Sequence, residues 1–335
     1  MRLILKVTWP LMLATGIVFL ACSFSQWKGD KKMNEMPKGL VVFSVNDKPP
    51  LCAKWKDNMP KVRNEDAYRK YIAARKLFRS KVEYQFSREE LEWIFDNVKI
   101  AADRGDWGAK ALLAKFLREG LGPLSSNRVL EQHAERAVKI SLEAMEAGQP
   151  WGFYDLGVAY EHGYGGIEYS PSIAWAYYLK AAKLGSPDAQ MALSQAYMDA
   201  GKREFALTMM ECAYRQGHGA AAYELALLND VTGKPSEALA LYHAGVKFGS
   251  QPSASFLSIA FRSQRHEEEI LKPLGFAIDV ERARRYDIIA DALAINPDLR
   301  FSRLDEVLPL PPKPLPEWRG IEAAMTPEPE GPPTY

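Results

Sequence analysis

Five histidines, three cysteines and an adjacent Glu161-His162 pair are the residues of this 335-residue chain whose types could do chemistry. Their spacing argues against most of it. A zinc-protease helix needs two histidines four positions apart, and His266-Glu267-Glu268-Glu269 is followed by Ile270 and Leu271. No Cys-x-x-Cys, P-loop, Gly-x-Ser-x-Gly elbow or Gly-x-Gly-x-x-Gly after a strand occurs. His133, His162, His218 and His243 are scattered along the chain and read as solvated or satisfied side chains. Catalysis needs a positioned nucleophile, base or metal. The expectation is therefore no enzyme, no cofactor and no metal. The rival is a hydrolase without a linear motif, assembled around Glu161 and His162.

The elements that would position any such residue follow from a glycine that returns at Gly105, Gly148, Gly185, Gly217 and Gly249, at spacings of 43, 37, 32 and 32 residues. A small residue stands four positions before each (Ala101, Ala144, Ala181, Ala213, Gly245) and a leucine eight after (Leu113, Leu156, Leu193, Leu225, Leu257). Ala174, Tyr177, Tyr178 and Ala181 form an apolar stripe at helical spacing before Gly185, and Ala189, Leu193, Ala196 and Tyr197 form another after it. This predicts stacked helix pairs, with the glycine in the left-handed position that ends the first helix of each. Ser170-Pro171 and Ser186-Pro187 mark helix starts, and Ser87-Arg88-Glu89-Glu90 reads as a capping box. Further helices are predicted over Asp66 to Arg79, Arg88 to Arg104 and Val280 to Ile295. Arrays of this kind bind other proteins more often than they do chemistry.

Tyr177-Tyr178-Leu179-Lys180-Ala181-Ala182-Lys183-Leu184-Gly185 resembles the SEL-like repeat, a relative of the tetratricopeptide repeat. Leu156-Gly157-Val158-Ala159-Tyr160-Glu161-His162-Gly163-Tyr164-Gly165-Gly166 resembles that family's long loop. The resemblance covers about residues 87 to 262; the last two units lack the loop. It implies an all-α, right-handed α-solenoid of SEL-like, TPR-like helix pairs with an irregular N-terminal cover and a Pro-rich C-terminal cap. In stacked pairs the helix after each repeat glycine lines the inner wall. This makes Phe153, Tyr154, Glu161, His162, Tyr223 and Asp230, with Tyr164 on the loop, the first candidates for partner contact, aromatic residues being favoured interface anchors. Tyr154 and Tyr223 are equally suited to packing between helices.

The N-terminus, Met1 to Lys6 followed by uncharged Val7 to Ala21, has the charge and length of a signal sequence. Phe19-Leu20-Ala21-Cys22 resembles a bacterial lipobox, departing from it in having Phe where Leu is usual. That resemblance implies lipidation of Cys22, and Ser23 after it implies sorting to the outer membrane, facing the periplasm. The implied organisation is a signal peptide (1–21), an anchor and tether (22–38), an N-terminal cap (39–86), repeats (87–262), and a C-terminal helix with a Pro-rich tail (263–335). The segment around Lys48-Pro49-Pro50-Leu51-Cys52 is expected to lie over the first helices. An oxidising envelope permits a Cys52–Cys212 bridge. Cys212 sits five residues before a repeat glycine, where a small buried residue is expected, which favours a buried thiol; the pairing stays open.

With 43 basic and 42 acidic residues the chain has no electrostatic footprint for nucleic acid. Its tail holds Arg285-Tyr286, Arg300-Phe301, Leu308 to Pro312 and Leu315-Pro316-Glu317-Trp318. The proline content predicts an extended polyproline run. These pieces resemble the C-terminal signature of a group of proteobacterial envelope lipoproteins that look like immunity proteins encoded beside lipase-type effectors of type VI secretion. The resemblance implies a protein partner, a lipase-type toxin, bound at the repeat surface. The alternative is an envelope scaffold or adaptor in complex assembly or signalling. The tail itself is expected to be a cap over the last helices rather than a docking motif for an SH-three-like partner.

Overall fold

The repeat glycines do what their spacing predicts. All five have positive φ, between 76° at Gly148 and 98° at Gly185. Each closes a helix by the same pair of backbone bonds: its N–H donates to the carbonyl three residues back, and the next N–H donates to the small residue that precedes the glycine by four. Ser186 to Ala181 and Ser250 to Gly245 are examples, at 3.0 and 2.8 Å. These are Schellman turns, which satisfy carbonyls left over at the helix end.

In the computed structural model, which describes residues 35–59, 63–263, 274 and 276–325, the chain is an α-solenoid of helix pairs. The helices are α1 (Glu65–Phe78), α2 (Arg88–Asp103), α3 (Trp107–Glu119), α4 (Ala134–Glu146), α5 (Pro150–His162), α6 (Pro171–Lys183), α7 (Pro187–Asp199), α8 (Arg203–Tyr214), α9 (Gly219–Val231), α10 (Pro235–Lys247), α11 (Gln251–Arg262), α12 (Val280–Ile295) and α13 (Leu304–Val307). Consecutive helices from α1 to α12 pack on one another. The expected signal peptide, Cys22 and most of the tether lie outside the described residues, as does His266-Glu267-Glu268-Glu269.

A second regularity explains how tightly the pairs cross. The residue four after each glycine is also small: Ala109, Gly152, Ala189, Ala221 and Ser253. These face their partners four before. A Cβ built on Gly152 would stand 2.7 Å from the Ala144 Cβ, and one on Gly245 would stand 2.3 Å from the Ser253 Oγ. Small residues at a crossing let backbones approach while Leu156, Leu193 and Leu257, all fully buried, fill the layers between.

The capping box at Ser87 and Glu90 is formed, and Ser186 accepts the Ala189 N–H. Ser170 departs from expectation: its side chain makes no cap bond and meets the Ser172 hydroxyl instead, leaving Pro171 to start α6.

Residues 36–59 form a strap, and it lies on the middle of the array rather than on the first helices. Phe43 stacks on Trp175 of α6 at 5.3 Å and meets Tyr197 of α7 edge-on. The Tyr197 hydroxyl donates to the Asp47 carbonyl, Gln190 to that of Ala53, and the Trp55 N–H donates to Gln216. Asn58 donates to the Leu184 carbonyl and accepts from Gln149. Cys52 and Cys212 form a disulfide across 160 residues, correcting the expectation of a buried free thiol. Cys212 is indeed buried on α8; what sequence spacing did not show is that the strap passes over it.

The tail also departs from a plain extended run, since Leu304–Val307 form a helical turn before the prolines. Phe301, Leu304 and Leu308 are fully buried against α10, α11 and α12. Arg285 donates to the carbonyls of Val307 and Pro316, with Trp318 5.1 Å from its guanidinium. Buried arginines here satisfy the carbonyls that proline-rich backbone cannot pair within itself.

Candidate binding face

The helices α3, α5, α7 and α9, each of which follows a repeat glycine, contribute to one polar and aromatic face centred on α5. Gly157 is its keystone, because a Cβ there would stand 2.5 Å from the Tyr178 ring. The ring therefore lies against α5, 5.4 Å from Tyr154, and its hydroxyl donates to Glu161 Oε2 at 2.5 Å. Burial, and then the adjacent Glu161 carboxylate, hold the Tyr178 phenol well above its ordinary range. Tyr154 is pushed up to about 12 by burial and by the charges of Asp188, Asp155 and Glu161.

Asp155, next to Tyr154, is the electrostatic centre. Burial pushes its carboxyl up to about 6, against the pull of Arg118 and with a further push from Asp188. Its only cationic neighbour among the described residues is Arg118 of α3, 3.9 Å away, and the Ser141 hydroxyl is 3.5 Å away. Tyr164, on the long loop, shares the same field and is raised by burial first and Asp155 second. On α7, Asp188 meets His218 Nε2 at 3.3 Å. His218 caps α9 by accepting the Ala221 N–H at Nδ1, so Nε2 carries the proton that points at Asp188. Burial also raises the carboxyl of Glu224, further along α9.

The sequence candidates divide on this geometry. Tyr154, Glu161 and Tyr164 are brought together, and His162 is exposed at the last turn of α5. Phe153 is buried, 6.4 Å from Tyr177 with the Lys180 ammonium 5.9 Å from its ring, and belongs to the core rather than the surface. Asp230 is 1% exposed and is likewise removed from any contact surface. Both fall on the inward side of their helices because neighbours three or four positions away, Leu156 and Ala226, set the buried stripe. Tyr223 is half-buried against Tyr242 at 5.8 Å.

Spacing alone did not single out Arg118, Asp155, Tyr178, Asp188 and His218. Asp188 in particular reads as an ordinary acidic residue in a helix's first turn. What the arrangement can do is bind: Asp155, Asp188 and Glu161 carry more negative charge than the Arg118 guanidinium balances, which leaves a place for a partner's cation between phenols. Glu161 is engaged by Tyr178 and does not meet His162 as an acid–base pair would. Among the described residues no three His, Cys, Asp or Glu side chains gather as a metal would need.

A sequence profile described as a domain of unknown function, DUF6396, matches residues 253–333, from α11 through the tail. No curated protein matches the chain. Among solved structures, the Pseudomonas aeruginosa protein PA5086 is 29% identical, covering 80% of this chain and 97% of its own, with a TM-score of 0.65. The P. aeruginosa immunity protein Pa5087 is 27% identical over 79% of this chain and 96% of its own, with a TM-score of 0.64. The immunity protein PA5088 of the same organism is 28% identical over 79% and 95%, with a TM-score of 0.62. The chain is thus similar, through most of its own length and nearly all of theirs, to a set of P. aeruginosa proteins that includes two immunity proteins, and it carries their helical-repeat fold.

Proposed function

We propose that this chain is an immunity protein: a periplasm-facing lipoprotein, anchored through Cys22, that binds a lipase-type effector of type VI secretion and blocks its access to lipid. The observation that carries the reading is the likeness to immunity proteins Pa5087 and PA5088 over 96% and 95% of their lengths. The lipobox-like sequence and the tail signature support the anchor and the effector class. No turnover is required of it.

The contact surface in this reading is the α5 face. A lysine or arginine of the effector set beside Asp155 would restore the charge that burial disfavours there, with Asp188 and Glu161 near it, and Tyr154 and Tyr164 would flank it with rigid, amphipathic surface. An effector that escapes keeps cutting lipid, so affinity must be high; nanomolar binding corresponds to about 12 kcal/mol and suits a standard-sized interface.

The test is to send the product of the adjacent gene to the periplasm with and without this chain, and to purify the two together. A stable complex with rescue of growth is expected, and Tyr154→Ala with Glu161→Lys should abolish both in a variant that still unfolds cooperatively, at a somewhat lower melting temperature because both side chains pack on Tyr178. Rescue that survives these substitutions moves the contact off the α5 face. Neither complex nor rescue removes the immunity reading and leaves an envelope adaptor.

A further inference from the structure

The strap shows solvent an unusual outer side. Phe43 and Trp55 turn inward, whereas Val41 and Val42 are 61% and 59% exposed and Leu51 is 92% exposed. Lys38, Lys48 and Lys54 are exposed among them. From residue 36 to 59 there are four lysines and two aspartates. Leu51 follows Pro49-Pro50 and precedes Cys52, whose disulfide to Cys212 fixes it on α8. Its side chain is therefore held outward on stiff backbone with no route into the core.

Apolar side chains held out of a basic segment match the surface of an anionic bilayer: the lysines meet headgroup charge, and the aliphatic groups enter the headgroup–acyl boundary. We propose that the strap is a membrane-apposition surface, with Lys38, Lys48 and Lys54 on anionic lipid headgroups and Val41, Val42 and Leu51 inserted shallowly. This inference rests on the envelope placement in the proposed function, and chain order favours lipid over protein as the occupant. Met36, where the strap begins, is 14 residues beyond Cys22. A lipid carried on Cys22 would hold the strap within about 50 Å of the bilayer even at full extension. Lipid bound along the strap would place α6 to α8 toward the membrane and set the array's orientation before any effector arrives.

The test is vesicle flotation of the lipid-free chain from Ser23 onward, so that binding cannot come from an anchor. The chain is expected to float with phosphatidylglycerol–phosphatidylethanolamine vesicles, to stay behind with phosphatidylcholine, and to be released by about 0.5 M salt, where surface charge is screened within a few ångströms. The variants Lys38→Gln/Lys48→Gln/Lys54→Gln and Val41→Ser/Val42→Ser/Leu51→Ser should each lower partitioning at least about tenfold, since each lysine near an anionic surface contributes on the order of a factor of five. Melting temperature and effector binding should not change, because every substituted side chain is exposed. Absence of flotation at low salt, or variants that float as the parent does, overturns the proposal. Variants that keep flotation but lose the effector assign the strap to the protein partner instead. Mass analysis of the mature N-terminal peptide from cells reports Cys22 lipidation separately, so failure of the anchor reading and failure of this one are distinguishable.

Discussion

Arg75 of α1 and Asp298, in the turn after α12, are joined by an ion pair 3.0 Å long although 223 positions separate them. Arg79 reaches the same carboxylate oxygen at 3.0 Å. One acidic side chain thus ties the start of the array to the segment that leads into the tail. Arg75 is 3% exposed, so the pair is one whose charges have left water and depend on each other.

Asp298→Asn should therefore destabilise the chain by about 2–4 kcal/mol, as expected when one member of a buried pair is removed. Urea unfolding at neutral pH measures it. A cost below about 0.5 kcal/mol would class the contact with surface pairs and remove its role in joining the ends.

Removing the disulfide by Cys52→Ser should lower stability under oxidising conditions, and dithiothreitol should bring the parent chain to the variant's level while leaving the variant unmoved. Closing a loop across 160 residues is worth up to about 4–5 kcal/mol in the chain-entropy account. Thermal melts of both proteins with and without reductant decide it. Equal melting in all four cases would show that the strap's other contacts hold it unaided.

Two repeat glycines with the same backbone should respond differently to alanine. Gly105 has φ 89° and open space where a Cβ would go, so Gly105→Ala should cost only the left-handed strain of about 1–2 kcal/mol. Gly185 has φ 98° and a Cβ there would stand 2.3 Å from the Lys54 carbonyl carbon, so Gly185→Ala should cost at least about 3 kcal/mol. Combined with Cys52→Ser the excess at Gly185 should shrink, because a loosened strap can yield; unfolding free energies of the double-mutant cycle show it.

The pH dependence of stability should carry Asp155 with a definite sign. Burial raises its carboxyl to about 6 in the fold, so the folded state favours the protonated form. Its contribution is fully present below the unfolded carboxylate range near 4 and is lost as pH rises through about 6. His243 runs the other way: buried between Tyr286 at 2.7 Å and Asp305 at 2.8 Å, it is held down to about 4 by burial, and its contribution is lost as pH falls from 6.5 toward 4. Asp155→Asn should thus raise stability relative to the parent above pH 6, by up to about 2 kcal/mol, with the gain vanishing near pH 4. Melting temperatures across that range, parent against variant, isolate it from His243. A gain that persists unchanged at pH 4 would show that Asp155 does not titrate as the geometry implies.

The array was legible because it is written in local rules. Glycine in a Schellman turn, small residues around it and leucines at fixed offsets depend only on near neighbours in the chain, and α12 begins and ends where its N-cap and Asn296-Pro297 place it. The strap was not legible in its place, since contacts such as Trp55 to Gln216 join residues 161 apart and no periodicity encodes them. At the candidate face the aromatic members Tyr154 and Tyr164 stood out, but the carboxylates became visible only when separate helices set Asp155 and Asp188 around one phenol. Phe153 and Asp230 show the converse limit: a one-residue shift around a helix separates solvent from core, and spacing measured from the glycine does not resolve it.

The strap also acts as a ruler. Solenoids gain and lose units readily because each unit depends on its neighbours alone, yet residues 53 to 58 touch Gln149, Leu184 and Gln216, beside the turns of three successive units. A duplicated or deleted unit between them would leave those bonds out of register with a segment of fixed length. In this chain the number of units in the middle of the array is gauged by a piece of backbone outside it, so recombination that is neutral in open-ended repeat proteins would here carry a penalty at every rung the strap touches.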